Sequence, residues 1–164
     1  MNAQTTAQFT DTSLPYNSYT RGNYTISTDP ARLDVDAIHS YLSRSYWAEL
    51  RPREIVAISL RHSLNFGVYY VNSSNPTATA QQIGLARVVT DYAIFAYLCD
   101  VYILEEHRGH GLGKWLIQTM IHDPALKHVV RIMLATRDAH GLYAQFGFTP
   151  PAKPEVWMER VRTS

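Results

Sequence analysis

Residues 97–121 read YLCDVYILEEHRGHGLGKWLIQTMI, and this stretch decides the fold. An apolar run from Tyr97 to Leu104 precedes a glycine-rich segment at residues 108–113, and an amphipathic run begins at Lys114. This order predicts a strand, a tight turn and a helix. Backbone N–H groups in such a turn can surround a phosphate at the positive end of the helix. The stretch therefore predicts a phosphate-binding site between a strand and a helix.

The chain before this stretch predicts the antiparallel half of an α/β domain. Asp34 is a typical cap for a helix whose apolar residues share one face, and Pro52 suits the first position of a second helix. Runs rich in Val, Ile, Tyr and Phe, separated by polar turns, indicate strands. These predicted strands span residues 24–28, 66–71, 83–90 and 94–104.

The chain after the turn predicts a crossover that returns to the sheet. Residues 129–135 form a dense apolar run, which predicts a central strand buried on both faces. A short helix is expected from Asp138 to Gln145, and residues 156–161 are expected to form the last strand. The fold class is therefore α/β (α+β), with an antiparallel front half and a strand–turn–helix–strand crossover at the back.

Length and composition limit the classes of protein to consider. A chain of 164 residues, of which 46% are hydrophobic, can bury one sizeable core. Residues 1–22 are polar and aperiodic and predict a flexible N-terminal arm, so the folded domain is predicted at residues 23–164. A formal net charge of +1 argues against tight nucleic-acid binding, which needs clustered Lys and Arg.

The sequence predicts a cytoplasmic protein without a membrane segment. Cys99 is the only cysteine, so no intrachain disulfide can form, as is usual in a reducing compartment. Residues 1–20 lack the basic and apolar regions of a signal peptide. No apolar run approaches the roughly 18 residues of a membrane-spanning helix.

Counting residues distinguishes between the known phosphate-binding turns. A P-loop ends in Gly-Lys followed by Ser or Thr, but Trp115 follows Gly113 and Lys114. A dinucleotide fingerprint, Gly-x-Gly-x-x-Gly, fails from either Gly109 or Gly111. The segment matches Arg-x-x-Gly-x-Gly instead, and so resembles the pyrophosphate-binding motif of the GNAT superfamily of acyl-CoA N-acyltransferases.

Two further segments carry the same resemblance. Residues 98–103 are similar to the family's strand that leads into the motif. Residues 136–148 are similar to its later Asn-x-x-Ala-x-x-Tyr and Gly-Phe signature, with Thr136 in place of the Asn and Tyr143 as the Tyr. The resemblance covers residues 23–164. It implies a mixed, mostly antiparallel sheet of six to seven strands, flanked by helices and splayed between the central strands.

The resemblance also implies acetyl-CoA as cosubstrate and a set of site residues. The backbone of Val101, Tyr102 and Ile103 is expected to bind the pantetheine amides, and one of these N–H groups is expected to polarise the thioester carbonyl. Tyr143 occupies the general-acid position, where it would protonate the departing thiolate. The other cofactor-binding residues implied are Arg108, Gly109, His110, Gly111, Gly113, Lys114 and Thr136.

The general base is left unassigned by the sequence. Strand alternation puts Tyr97 and Cys99 on the side of the acceptor, unless a bulge changes the alternation, and neither residue is an ordinary base. The nearby carboxylates are equally typical of a strand end and of solvated charges; they are Asp100, Glu105 and Glu106.

Other residues near the motif have two interpretations. The acceptor attacks directly in this family, so Cys99 is predicted to be a small core residue rather than an acyl carrier. His110 is equally consistent with a phosphate or ribose contact and with a solvated turn. It forms a short His-x-x-His pair with His107, but without a third ligand no metal site is predicted. The acceptor pocket is expected to include the aromatic loop at residues 45–51.

These observations predict an acetyl-CoA-dependent N-acetyltransferase that acts on a primary amine of a small molecule or peptide, by direct attack in a ternary complex. The alternative is a catalytically silent GNAT-like module that binds acyl-CoA as a sensor or structural partner. Neither nucleic acid nor membrane is predicted as a partner, and the resemblance leaves a homodimer open.

Overall fold

A computed structural model of the chain describes residues 15–72 and 79–162. Within these ranges six strands form one mixed sheet, and its spatial order follows the chain. The strands are β1 (Ser18–Arg21), β2 (Tyr24–Ser27), β3 (Leu64–Tyr70), β4 (Gln81–Thr90), β5 (Phe95–Ile103) and β6 (Arg131–Leu134). The helices are α1 (Val35–Leu42), α2 (Arg53–Arg61), α3 (Leu112–Ile121) and α4 (His140–Ala144). In the same ranges no helix is long and apolar enough to cross a membrane.

Helices cover both faces of the sheet, and each face has its own apolar core. On one face α3 packs against β3, β4 and β5, around buried side chains that include Phe66, Leu98 and Leu116. On the other face α1 packs against α2 and β4, around Ile38 and Leu85. The predicted α/β class, with helices flanking a mostly antiparallel sheet, is confirmed.

The two predicted helix starts lie within one residue of their observed positions. The Asp34 carboxylate accepts a hydrogen bond from the Ala37 N–H at 2.9 Å and caps α1, as predicted. Pro52 caps α2 with an extended backbone instead of forming its first residue. Its carbonyl accepts from the N–H groups of Ile55 and Val56, so the helix begins at Arg53.

The sheet is splayed between its two parallel strands, as predicted. β6 pairs with β5 only between residues 95–98 and 131–134, whereas β5 continues to Ile103. The second half of β5 therefore has an open edge on the side away from β4. A linear ligand with amide groups can pair with such an edge as an added strand would.

The prediction of a central strand at residues 129–135 is wrong. β6 is the last strand in the sheet order and pairs with β5 alone. Ile132 and Leu134 pack against the α3 core, but Val130 is 83% exposed. An apolar run is typical of a central strand that is buried on both faces, but also of an edge strand with one buried face. The composition of the run therefore does not decide where the strand lies in the sheet.

The predicted last strand at residues 156–161 is also absent from the described part of the chain. A 3₁₀ turn at Pro154–Val156 is followed by irregular backbone, and Met158 is 96% exposed. Three prolines precede this segment, at positions 150, 151 and 154. Each proline lacks the N–H that a strand donates to its neighbour, which disfavours a continuous ladder here.

The predicted N-terminal arm at residues 1–22 needs a correction in its described part, while residues 1–14 lie outside the described ranges. Residues 18–21 form β1, which pairs antiparallel with β2. Tyr19 and Asn17 both donate hydrogen bonds to the Asp123 carboxylate, which is 1% exposed. Asp123 follows α3 and is more than 100 residues away from β1 in the sequence. The polar composition of residues 1–22 could therefore not reveal these contacts.

Candidate active site

The glycine turn has left-handed backbone angles at two of its glycines and open space beside a third. Gly109 and Gly111 have φ angles of +82° and +71°, which side chains with a Cβ rarely adopt. The first bond inside α3 runs from the Trp115 N–H to the Gly111 carbonyl at 3.1 Å. The N–H groups just before Trp115 therefore precede the helical ladder and face outward at its positive end. A Cβ built on Gly113 meets no atom within 4 Å, so the space beside this backbone is open.

The two cations predicted near the phosphate are both exposed, but Arg108 is held by contacts within the protein. Arg108 donates from Nε to the Ile103 carbonyl at 3.0 Å, and from Nη2 to the Tyr41 hydroxyl at 3.0 Å and to Glu105 at 2.8 Å. The guanidinium thus fastens α1 to the end of β5. Its predicted contact with the cofactor stays a prediction, because its contacts here are with the protein.

The turn is supported from β1. Arg21 donates from Nη2 to the His110 carbonyl at 2.8 Å, and its guanidinium lies 4.9 Å from the Trp115 ring centre. The His110 ring lies 6.3 Å from the ring of Tyr24, and its Nδ1 lies 3.3 Å from the His107 carbonyl. His110 therefore sits on the surface beside an aromatic group, and its predicted role toward the cofactor is untested.

A bulge in β5 decides which backbone groups face the open edge. Two residues of β5, Asp100 and Val101, lie opposite Ala86 of β4, and Asp100 has a left-handed φ of +51°. Beyond the bulge, the Leu104 N–H donates to the Ile83 carbonyl at 2.8 Å.

Backbone bonds alternate along an antiparallel pair, so this register fixes the direction of the three predicted pantetheine contacts. It turns the N–H of Tyr102 toward β4. It turns the N–H groups of Val101 and Ile103 toward the open edge. Binding by the backbone of Val101 and Ile103 stays a prediction. Tyr102 has its N–H on the side of β4, and its side chain is buried on the face of the sheet under α1, where it stacks on Tyr41 at 3.8 Å.

The bulge also corrects the predicted faces of the strand. Simple alternation places Tyr97, Cys99 and Val101 together, but the extra residue moves Val101 to the α3 face, where it packs against the α3 core. Tyr102 belongs to the core under α1 and α2. The side of the sheet near α1 therefore presents Tyr97, Cys99 and the Asp100 carboxylate.

The Asp100 carboxylate is enclosed by two arginines whose role is not evident from the sequence. Arg51 Nη1 lies 3.0 Å from both carboxylate oxygens, and Arg87 Nε lies 2.7 Å from Oδ2. Arg87 also donates from Nη1 to the Ser63 hydroxyl at 3.0 Å, and the Asp100 side chain is only 2% exposed. The one signal in the sequence was Arg87 itself, a charge within the apolar run of β4.

These contacts bear on the candidate bases. Asp100 is held by two guanidinium groups and Glu105 pairs with Arg108, whereas Glu106 is exposed. Burial raises the pKa of the Cys99 thiol to about 11, so it carries its proton at neutral pH. A protonated thiol is a poor nucleophile, which favours the predicted core role of Cys99.

Tyr143, the predicted general acid, is buried against an aromatic neighbour. It is 8% exposed and packs edge-on against Phe148 at 5.7 Å. Burial, more than its neighbours Tyr46 and Asp138, raises its pKa to about 12. Among residues 15–72 and 79–162 no group forms a hydrogen bond with its hydroxyl. The phenol is therefore protonated and uncommitted.

A cleft of about 1050 Å³ lies beside Tyr143. Its walls come from β6, α4 and the C-terminal segment, and they include Thr136, His140 and Trp157. The Thr136 hydroxyl accepts from the Ala139 N–H at 3.0 Å and shapes the turn before α4. Thr136 thus has a local structural contact beside its predicted contact with the cofactor.

The predicted acceptor loop bridges the two splayed strands. At one end Tyr46 accepts a hydrogen bond from the Arg137 N–H at 3.3 Å, and the Arg137 guanidinium stacks 3.6 Å from its ring. Trp47 packs edge-on against Tyr46 at 5.0 Å. At the other end Arg51 reaches Asp100 on β5. The loop therefore spans from β5 to the segment after β6, on the face away from α3.

Comparison with known proteins agrees with this geometry. The profile of the acetyltransferase (GNAT) domain matches residues 65–150. A candidate acetyltransferase of Gibberella zeae is 41% identical over 143 residues, which cover 78% of this chain and 80% of that protein. The crystal structure of a candidate GNAT acetyltransferase from Xanthomonas campestris is 44% identical, with a TM-score of 0.77 over 85% of this chain and 93% of that one. A candidate acetyltransferase from Clostridium acetobutylicum, solved with acetyl-CoA, shares the fold at 17% identity, with a TM-score of 0.58 over 85% and 95% of the two chains.

Proposed function

This chain belongs to the GNAT acetyltransferase family, and from that premise we propose that it transfers an acetyl group from acetyl-CoA to a primary amine. The observation that carries the proposal is the continuity between the open edge of β5 and the glycine turn. One segment of chain thus offers backbone donors for an amide-bearing arm and then for a diphosphate. Acetyl-CoA contains these two groups in the same order.

The described residues fit such a ligand. The outward N–H groups at the start of α3 and the Lys114 ammonium would bind the diphosphate. The edge groups of Val101 and Ile103 would pair with the pantetheine amides, and one N–H would polarise the thioester carbonyl. The Clostridium acetobutylicum relative, which was solved with acetyl-CoA, supports this choice of ligand.

The proposed reaction is a direct attack in a ternary complex. A neutral amine forms a C–N bond with the thioester carbon, the C–S bond breaks, and the sulfur leaves with the bonding electron pair. The Tyr143 hydroxyl would donate a proton to that sulfur, and the proton lost by the amine would pass to water or to an acceptor not yet assigned. The proposed acceptor is a small-molecule or peptide amine.

One observation favours a second candidate function. Asp100 and Glu105, two of the three carboxylates considered as bases, already pair with arginines. A module that binds acyl-CoA as a sensor would need no base. The uncommitted hydroxyl of Tyr143 favours the enzyme instead, because binding alone does not require a proton donor at this position.

A thiol-release assay with acetyl-CoA and a panel of amines tests the proposal. The panel contains alkyl amines, polyamines, amino acids and short peptides, and mass spectrometry identifies the product. We expect thiol release that depends on one class of amine, with an equal amount of acetylated product. Thermal stabilisation by CoA without amine-dependent release across the panel would support the binding module and contradict the enzyme.

A further inference from the structure

The buried carboxylate of Asp100 is joined to two arginines at the point where β5 bulges, and none of the predicted catalytic steps uses it. We propose that Asp100 is a positioning residue, whose ion pairs with Arg51 and Arg87 hold the bulge that aims the Val101 N–H at the thioester carbonyl. The inference rests on the proposed function, since it concerns the polarisation of acetyl-CoA.

The bulge determines which N–H groups line the open edge. Before the bulge, the Asp91 N–H donates to the Phe95 carbonyl. The backbone N–H and C=O groups of odd-numbered residues in this part of β5 therefore point toward β4, and those of even-numbered residues point toward β6. The parallel pairing with β6 agrees, because the Arg131 N–H donates to the Ile94 carbonyl. A regular strand would therefore turn the N–H of residue 100 toward the open edge. The inserted residue reverses the order and presents the Val101 N–H there.

The left-handed conformation of Asp100, which produces this reversal, is energetically unfavourable without stabilising contacts. Aspartate at a φ of +51° is disfavoured relative to an ordinary strand residue, and a buried carboxylate is costly without partners. Both costs are offset by the guanidinium groups, which contact both carboxylate oxygens at 2.7–3.0 Å. Arg87 lies on β4 opposite Cys99, next to the bulge, so the ion pair ties the two strands beside the irregular position.

Arg51 extends this support to the acceptor side. It lies at the end of the loop whose Tyr46 contacts Arg137, so one connected set of contacts runs from the acceptor loop to the bulge. A displaced loop would pull on Asp100 and thereby turn the Val101 N–H. The acceptor loop and the polarising group are thus mechanically coupled in the proposed site.

The variant Asp100→Asn tests the inference, because asparagine keeps the size and tolerates a left-handed φ but cannot form the ion pairs. We expect kcat to fall about 10- to 100-fold while KM for acetyl-CoA changes little, since a misaimed group affects chemistry more than binding. Asp123→Asn is the matched control, because Asp123 is a buried, hydrogen-bonded carboxylate that anchors β1 away from the site. It is expected to lower the melting temperature without lowering kcat. If Asp100→Asn does not fold, Arg51→Gln serves instead, since it removes one pair and leaves Arg87 in place.

A measurement without turnover separates this inference from the proposed function. In ¹⁵N–¹H spectra of the wild-type protein, the Val101 amide is expected to differ between the complexes with acetyl-CoA and with CoA, because only the former has a thioester carbonyl. In Asp100→Asn that difference should disappear. An unchanged kcat, or an unchanged Val101 difference, would overturn the positioning role. A wild-type protein that shows the difference but releases no thiol with any amine would contradict the proposed function alone.

Discussion

The phenol of Tyr143, the proposed proton donor, keeps its proton mainly because it is buried. Its phenol lies against Phe148, and burial raises its pKa to about 12. A group with this pKa keeps its proton across the neutral and mildly alkaline range. It is therefore in the protonated form that the proposed donation to a thiolate requires, and it cannot act as a base there.

Replacement of Tyr143 by Phe removes the donor and keeps the packing. We expect kcat to fall about 100-fold with little change in KM for acetyl-CoA. In the wild-type protein, kcat should show no loss due to this group until the pH approaches 12, because its ionised form is disfavoured below that value. Steady-state kinetics across pH 6–10 check both outcomes at about half-unit steps. Full activity of Tyr143→Phe, with Tyr92→Phe as an exposed control, would rule out the donor role.

At position 113 the backbone angles do not require glycine, so substitution can test whether the glycine leaves space for a ligand. A Cβ at this position meets no protein atom within 4 Å, and no left-handed φ is required of it. Gly113→Ala is therefore expected to fold at least as stably as the wild type, since alanine favours a helix by about 0.5–1 kcal/mol over glycine.

The same substitution is expected to raise KM for acetyl-CoA about tenfold or more, because the methyl group would occupy the space proposed for the diphosphate. Titration calorimetry with CoA measures the effect directly. Gln118→Ala, on the exposed side of the same helix, is the control and should leave affinity unchanged. Wild-type affinity in Gly113→Ala would place the diphosphate elsewhere.

At the scale of elements, α1 depends on a local cap and on contacts that hold it over β5. Asp34 caps its N-terminus, and the Asp34 N–H in turn donates to the Gln82 side chain at 2.7 Å. Tyr41, near its other end, stacks on Tyr102 and accepts from Arg108. The helix thus links the sheet to the glycine turn, so its stability affects the geometry of the site.

Asp34→Ala removes the cap and leaves the buried face of α1 intact. We expect the free energy of unfolding to fall by about 1 kcal/mol, because one N–H at the start of the helix loses its partner. Urea denaturation measures the change. Asp36→Ala, which breaks the exposed ion pair with Arg53 and leaves the cap in place, is expected to have a smaller effect. Equal losses in the two variants would show that the cap contributes nothing specific.

At the scale of the whole molecule, several partly or fully buried thiol and phenol groups keep their protons to higher pH than they would in water. Burial raises the pKa of Cys99 from 9.0 to about 11, and those of Tyr19, Tyr69 and Tyr143 from 10.0 to about 12. In the unfolded chain these groups would ionise at their ordinary values. The unfolded state therefore loses protons first as the pH rises, and the folded state is disfavoured.

The protein is accordingly expected to lose stability as the pH rises from about 9 through 12, with no such contribution below about pH 9. Melting temperatures measured by circular dichroism in matched salt check this trend. Cys99→Ala removes the group with the lowest of these values and should move the onset of the loss toward higher pH. A melting temperature that stays constant up to pH 11 would contradict the prediction.

Sequence patterns determined the features that depend on near neighbours along the chain. The turn at residues 108–113, the helix after it and the cap at Asp34 are set by interactions within a few residues, so spacing alone reveals them. Most strands were predicted for the same reason. The proposed diphosphate site belongs to this group, because its donors come from one turn and the helix that follows.

Tertiary structure alone decided the features that join distant parts of the chain. The position of β6 at the edge of the sheet depends on its pairing with β5. The hydrogen bond between Arg108 and Tyr41 depends on the packing of α1 near the end of β5. The enclosure of Asp100 by Arg51 and Arg87 depends on a bulge and on a loop 49 residues away. The reason is physical: a charge in the sequence has no partner until the register and packing bring one within 3 Å. The sequence by itself thus determined the proposed donor site, and the fold decided how that site is aimed and supported.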